Sequence, residues 1–294
     1  MSTARPDTRA VSPTPHAGTD IAEPAEAGTR PRRRRLVVNA VRFVPLVVFL
    51  GGWEVLARAG VLDPFFFGQP TRIAAQVGDW VTGGTEIGSL WTQVGVTLQE
   101  ALVGFAIGVV LGIVCGIALG RVRMLADIFG PYIKVLNSIP RIVLGSIFIV
   151  WLGLGVQSKV ALAMVLVFFA VFFNAFQGTR EVDRNLVANA RILGASKRQV
   201  TFHVVLPSAL TWIIASLHVS FGFALIGAIV GEFLGAQQGL GLLISQAQGS
   251  FNPNGVFAAM VVIAVIALAA EGLITLLEKQ LLSWRPPQLS GADL

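Results

Sequence analysis

Six times between residues 41 and 277 the chain runs for about twenty residues with almost no charge, the length needed to cross the hydrocarbon of a bilayer. In lipid the backbone must satisfy its own hydrogen bonds, so each run reads as a helix. The expected spans cover residues 41–61, 98–120, 135–155, 160–176, 209–233 and 256–277. The fold class is therefore all-α, a polytopic membrane helical bundle of about six transmembrane helices. A composition of 54% hydrophobic and 13% charged residues fits a membrane protein and excludes an ordinary soluble domain.

Charge orients the spans. Residues 1–35 are rich in Pro, Ala and Thr, lack an apolar period and read as a disordered tail closing on Arg30 and Arg32 to Arg35. Arg121, Arg123, Arg180, Arg184, Arg191, Lys197, Arg198, Lys279 and Arg285 share its side of the membrane, whereas only Arg58, Arg72 and Lys159 fall opposite. Basic loops stay in the cytoplasm, so both termini, including a short tail at 287–294, are expected there. The resulting localisation is multi-pass, in a cytoplasmic (plasma) membrane. Glu54 interrupts the first run, which argues against a cleaved signal peptide. The net charge of +6 is spread along loops and is no nucleic-acid footprint. The single cysteine, Cys115, excludes an intrachain disulfide or a Cys-rich metal site.

Several local features accompany the spans. Gly104, Gly108, Gly112, Gly116 and Gly120 recur every fourth residue and predict a helix-packing stripe. Pro140 is expected to kink the third span or delay its start, and Gly153 and Gly155 to end it. Residues 62–96, with Trp80 and Trp91, read as an amphipathic interfacial stretch, 124–134 as a short interfacial helix, and 237–254 as a Gly/Gln/Asn-rich loop. The Phe168 to Phe173 cluster reads as a lipid-facing or packing surface.

Polar residues inside spans are candidates for a translocation pathway. Arg141 either attracts an anionic substrate or snorkels to the near interface. His218, close to Ser216 and Ser220, either lines the pathway or bonds a neighbouring helix. Asn174 and Gln177 suit a polar cavity, and Glu232 suits a structural partner near the outer surface. No catalytic triad, metal set or useful carboxylate pair is visible, so no enzyme activity, metal or cofactor is expected. An ion-gradient-driven secondary transporter is the competing class, but it calls for buried ionisable groups, and the spans offer only Arg141, Glu232 and Glu271.

The most distinctive polar stretch is the island at 178–208. Leu186, Ala190 and Leu193 give its first helix one apolar face. Gly194 suits a left-handed helix end, Ala195 follows, and Ser196 suits the next N-cap. Pro207 favours a break before the fifth span. A rigid helix–turn–helix at this place would transmit motion to the spans behind it. The sequence has no GxxxxGK[ST] phosphate loop, so any ATP-driven motion needs a separate motor.

From Ala188-Asn189-Ala190 through Gly194 and Val204 to Leu206-Pro207, the island resembles the signature loop of permease subunits of ATP-binding-cassette importers. The family's spacing is kept and its opening glutamate is replaced by Ala188. Asn137-Ser138-Ile139-Pro140-Arg141, Trp151-Leu152-Gly153-Leu154-Gly155, Gly231-Glu232-Phe233 and Gly239-Leu240-Gly241 are similar to the nitrate, sulfonate and taurine branch. The resemblance covers about residues 40–286 and implies a type I importer permease-like domain over 36–286, with a cytoplasmic coupling loop at 178–208. It further implies a second permease copy in a homodimer, two ATPase subunits carrying ATP and magnesium, an extracytoplasmic solute-binding protein, and contact with membrane lipid. The implied cargo is a small organic or inorganic anion such as a sulfonate or nitrate, or a vitamin precursor.

Overall fold

The structure is a computed structural model that describes residues 32–281 except residue 183. The tail at 1–31, the end beyond 281 with Arg285, and the 287–294 tail lie outside the described residues. The chain divides at Gly51 into two units. The first holds most of α1 (Arg32–Arg58), which begins inside the expected tail and carries Pro45 without ending.

The second unit is a helical bundle. Its elements are α2 (Pro64–Phe67), α3 (Pro70–Thr82), α4 (Leu90–Arg121), α5 (Arg123–Ser138), α6 (Val143–Leu152) and α7 (Val156–Arg180). These are followed by α8 (Arg184–Ile192), α9 (Lys197–Val200), a π-helical turn (Thr201–Val205), α10 (Leu206–Leu234), α11 (Leu240–Gly249) and α12 (Pro253–Leu281). Four stretches are long and apolar enough to span: Leu90–Arg121, Val156–Arg180, Lys197–Leu234 and Pro253–Leu276. The pair Met124–Ser138 and Val143–Leu152 would make a fifth if counted as one bent span. Together with α1, these elements occupy the apolar runs of the sequence.

The glycine stripe sets the register of the bundle. A Cβ on Gly104 would stand 2.6 Å from the Ala163 Cβ, on Gly112 2.9 Å from that of Val171, and on Gly116 2.7 Å from that of Ala175. Gly108 meets Val167 and Gly120 meets Thr179 in the same way. Glycine and contact residue advance together by four, so α4 and α7 run parallel with touching backbones. α10 packs antiparallel on α7: a Cβ on Gly227 would lie 2.5 Å from the Ala163 Cα, Gly231 faces Lys159, and Gly178 seats Trp212. Absence of side chains at these places allows the close approach that dispersion rewards in a membrane.

Two parallel neighbours need a return path between them, which α5 and α6 supply. The expected third span at 135–155 is not one helix: α5 and α6 meet at 98°. Pro140 explains this, since it disfavours the α-region for the residue before it, and Ile139 is extended at φ −71°, ψ 130°. The end at Gly153 (φ 81°) and the restart after Gly155 fall where the sequence placed them.

Residues 62–96 are a folded cap rather than only an interfacial strip. Trp80 is buried with Ile73, Leu90, Leu240, Leu243, Ala258 and Ala259, while Trp91 is exposed. Glu54 holds the start of α3 by accepting from Thr71 N (3.1 Å), Thr71 Oγ1 (3.0 Å) and Gln69 Nε2 (2.7 Å). The stretch expected as a loop at 237–254 contains α11. Of the phenylalanine cluster, Phe169 and Phe172 are buried and Phe173 is exposed.

Candidate functional site

The polar island folds as two short helices around a tight turn. Gly194 has φ 86° with nothing close to a Cβ position, so the glycine answers to backbone conformation alone. The turn is closed by Ala195 N donating to Ala190 O (3.0 Å) and Gly194 N to Arg191 O (3.0 Å). Ser196 caps α9 through a reciprocal pair: Gln199 N donates to Ser196 Oγ (3.3 Å) and Ser196 N to Gln199 Oε1 (2.8 Å). Val200 and Val205 are buried and anchor the second arm. Ala190, Ala195 and Val204 are half-buried.

The apolar face of α8 is left uncovered by the described residues: Leu186 is 53% exposed and Leu193 87% exposed, and Ile192, outside the expected periodicity, is 81% exposed. One expectation needs correction: Pro207 does not break the chain. Leu206 N bonds to Thr201 O, five residues back, and this π turn absorbs the missing proline donor. Lys197–Leu234 is therefore continuous as a membrane-length helix.

At its far end this helix enters a buried polar cluster. Glu232 is fully buried and accepts from Thr97 Oγ1 (2.7 Å) and Gly241 N (2.7 Å). Leu240 N donates to Thr97 Oγ1 (3.0 Å), Gly239 N to Gln93 Oε1 (2.7 Å), and Gln93 Nε2 to Ile87 O (3.2 Å). The orphan donors at the start of α11 are thus satisfied by side chains of α4 and α10. Gly239, at φ 114°, and Gly241 are pressed against Glu232, where any side chain would collide with it.

Glu100 and Lys159, 2% and 1% exposed, complete the cluster. Lys159 Nζ donates to Leu154 O (2.6 Å) and interacts electrostatically with both glutamates. Glu100 Oε2 has no hydrogen-bond partner among the described residues. The cluster clamps α4, α7, α10 and α11 together at the Leu90 end of the bundle, and its burial keeps it from direct contact with solutes in this conformation.

Sequence reasoning placed Lys159 in an outward turn, and it passed over Gln93, Thr97 and Glu100. The signal was present. Those three precede Gly104 at intervals of four, three and four residues, which keep one helix face, and Lys159 precedes Ala163 by one turn. The polar cluster is the upper end of the glycine interface. It also removes the scarcity of buried ionisable groups as an argument against a secondary transporter.

The candidate pathway residues do not converge. Arg141 lies at the α5–α6 break, hydrogen-bonded to Asn137 and 4.9 Å from the Phe169 ring centroid. Asn174 Nδ2 donates to Ala170 O of its own helix (2.9 Å). Gln177 Nε2 donates to Glu181 Oε1 (2.6 Å). His218 Nδ1 lies 2.7 Å from Glu271 Oε1 and ties α10 to α12. Ser220 is fully buried, and its Oγ has no partner among the described residues.

This architecture has known counterparts. Residues 108–283 match the family described as binding-protein-dependent transport system inner membrane component. The chain is 30% identical over 256 residues to the putative aliphatic sulfonates transport permease protein SsuC of Bacillus subtilis, covering 87% of this chain and 91% of that protein. It is 32% identical over 241 residues to the riboflavin transport system permease protein RibX of Chloroflexus aurantiacus, covering 82% and 88%. Among solved structures, an inward-facing MetNI methionine ABC transporter chain shares the fold with a TM-score of 0.51 at 20% identity, over 65% of this chain and 92% of that one. The glycine-zipped bundle with its broken span and its signature loop thus meet in one assignment: the chain belongs to the binding-protein-dependent transport system inner membrane components, the multi-pass permease subunits of ATP-binding-cassette importers.

Proposed function

We propose that two copies of this chain form the translocation pathway of an importer, with an ATPase subunit gripping residues 185–207 of each. ATP and magnesium bind in those partners, and this chain contributes no cofactor site. The observation that carries the reading is the exposed apolar corner Leu186, Ile192 and Leu193, fixed by the Gly194 turn and by the Ser196 cap. An exposed apolar knob on a rigid turn suits a groove on a partner. The register of its second arm, unbroken into α10, suits it to pass on motion.

The loop and both termini face the cytoplasm in this reading, supported by the basic residues Arg180, Arg191, Lys197 and Arg198. The opposite end, where α2, α3 and α11 form a cap, receives the solute-binding protein. The cargo is a small organic anion of the sulfonate type or a vitamin-like heterocycle, supported by the named cargoes of the two relatives. Arg141 belongs to the pathway as it opens between copies. Asn174 and His218, engaged within the fold here, and the fully buried Ser220 reach it only after rearrangement.

The test is uptake in vesicles containing the chain with its ATPase and binding protein. Uptake should require ATP and survive collapse of the proton gradient, and the purified complex should contain two permeases and two ATPases. Uptake that follows the proton gradient without an ATPase would instead identify an ion-driven secondary transporter.

A further inference from the structure

A cavity of about 380 Å³ opens between the end of α4, α5 and the last turns of α7. Its lining includes the apolar Ile133, Phe173 and Phe176 and three charged residues, Lys134, Asp127 and Arg180, the last of these at the end of α7. Arg180 lies 5.2 Å from the centroid of the Phe176 ring, a cation–π contact with the aromatic wall. Among the described residues no ion pair within 4.0 Å engages Lys134, Arg180 or Asp127. Among the described residues this charged rim therefore carries two cations and one anion, none of them ion-paired.

The level of this cavity in the membrane follows from the bundle register. Arg121 and Arg180 occupy the last turns of α4 and α7, and Gly120 sits against Thr179, so the two spans end together. Basic residues at a common level mark the headgroup boundary. From Arg180 the cavity's aromatic wall reaches about 12 Å toward the middle of α7, at the helical rise per residue. Its polarity changes from cationic to aromatic along that line. A small free anion would use the rim and leave the wall unfilled. An anionic headgroup continuing into an acyl chain would use both.

We propose that this cavity is a binding site for an anionic phospholipid, with the phosphate held between Lys134 and Arg180 and the acyl chain against Phe173 and Phe176. The site lies between α5 and α7, on the stretch of α5 that leads to the α5–α6 break. Lipid bound there fills the gap behind α5 and holds that arm in the position seen here.

Native mass spectrometry of the full-length chain, released from micelles with defined dioleoyl phosphatidylglycerol or dioleoyl phosphatidylcholine, tests the assignment. Phosphatidylglycerol should be retained preferentially, and the paired change Lys134→Gln with Arg180→Gln should lower that preference roughly tenfold. Lys134→Arg, which preserves the charge, should retain it, and Phe173→Ala should weaken retention of both lipids. An arm without substitutions guards against misfolding: dioleoylglycerol, which has the chains without the phosphate, should fail to displace phosphatidylglycerol from the unaltered chain. Equal retention of the two lipids, or an unchanged preference in the paired variant, would overturn the proposal. So would displacement by millimolar inorganic phosphate or ethanesulfonate, which would assign the rim to a small free anion.

Discussion

Glu232 concentrates more buried interactions than any other polar side chain described above. Its two oxygens accept from Thr97 and from the α11 backbone, and it lies within the field of Lys159. Removing one partner from a buried, charged network strands the rest. Glu232→Ala should therefore lower stability by about 3–5 kcal/mol, read as an earlier midpoint in detergent unfolding. Glu232→Gln, which keeps one carbonyl acceptor, should lose less. Gly194 poses the opposite case, because nothing crowds it. Gly194→Leu should leave expression and insertion intact and cost about 1–2 kcal/mol through its left-handed backbone alone. The larger effect should be on function: the loop should shift, and uptake and ATPase association should fall together. Normal uptake by that variant would remove the turn from the coupling route. Residues of this kind differ in how visible they are in sequence. Gly194 and Ser196 announce a turn by type, whereas Lys159 looked like any loop cation after Gly155. Only the position of Lys159 one turn ahead of Ala163 shows that it faces inward.

Among the elements, α4 offers an internal comparison. Gly112 is pressed against the α7 backbone, with an added Cβ 3.0 Å from Phe168 O, whereas Gly95 has open space around it. Gly112→Ala should destabilise the fold by about 1–3 kcal/mol by overpacking. Gly95→Ala should be neutral or stabilising by up to about 1 kcal/mol, since alanine favours the helix. Parallel measurement of the two in the same detergent checks whether contact, rather than glycine content, governs the stripe. The apolar runs and this stripe were legible because each is a repeated signal. The α5–α6 break was half legible: Pro140 marked it, but its 98° angle depends on where α7 must restart. α11 was not legible as a helix, because its stability comes from caps supplied by Gln93, Thr97 and Glu232, far away in sequence. The uncovered face of α8 was read as an apolar stripe, and sequence could not say that nothing among the described residues covers it.

For the molecule as a whole, one continuous element joins its two polar regions. Lys197–Leu234 is 38 residues long. At the α-helical rise this is about 57 Å, from the Gly194 turn to the Glu232 cluster. A change at one end should be felt at the other: Glu232→Gln should alter the ATPase rate of the assembled importer although it lies far from the loop. An unchanged rate, with the complex intact, would show that α10 does not carry the signal. The parallel α4–α7 contact beside it also constrains how such a chain can change length over time. Each helical residue turns the chain by about 100°. Deleting one residue between Gly104 and Gly120 would swing every later glycine off α7 and bring bulky neighbours against its backbone. Length changes should therefore be absent from this segment of working descendants, and should gather instead in the loop between Gly83 and Ser89, where no register is at stake.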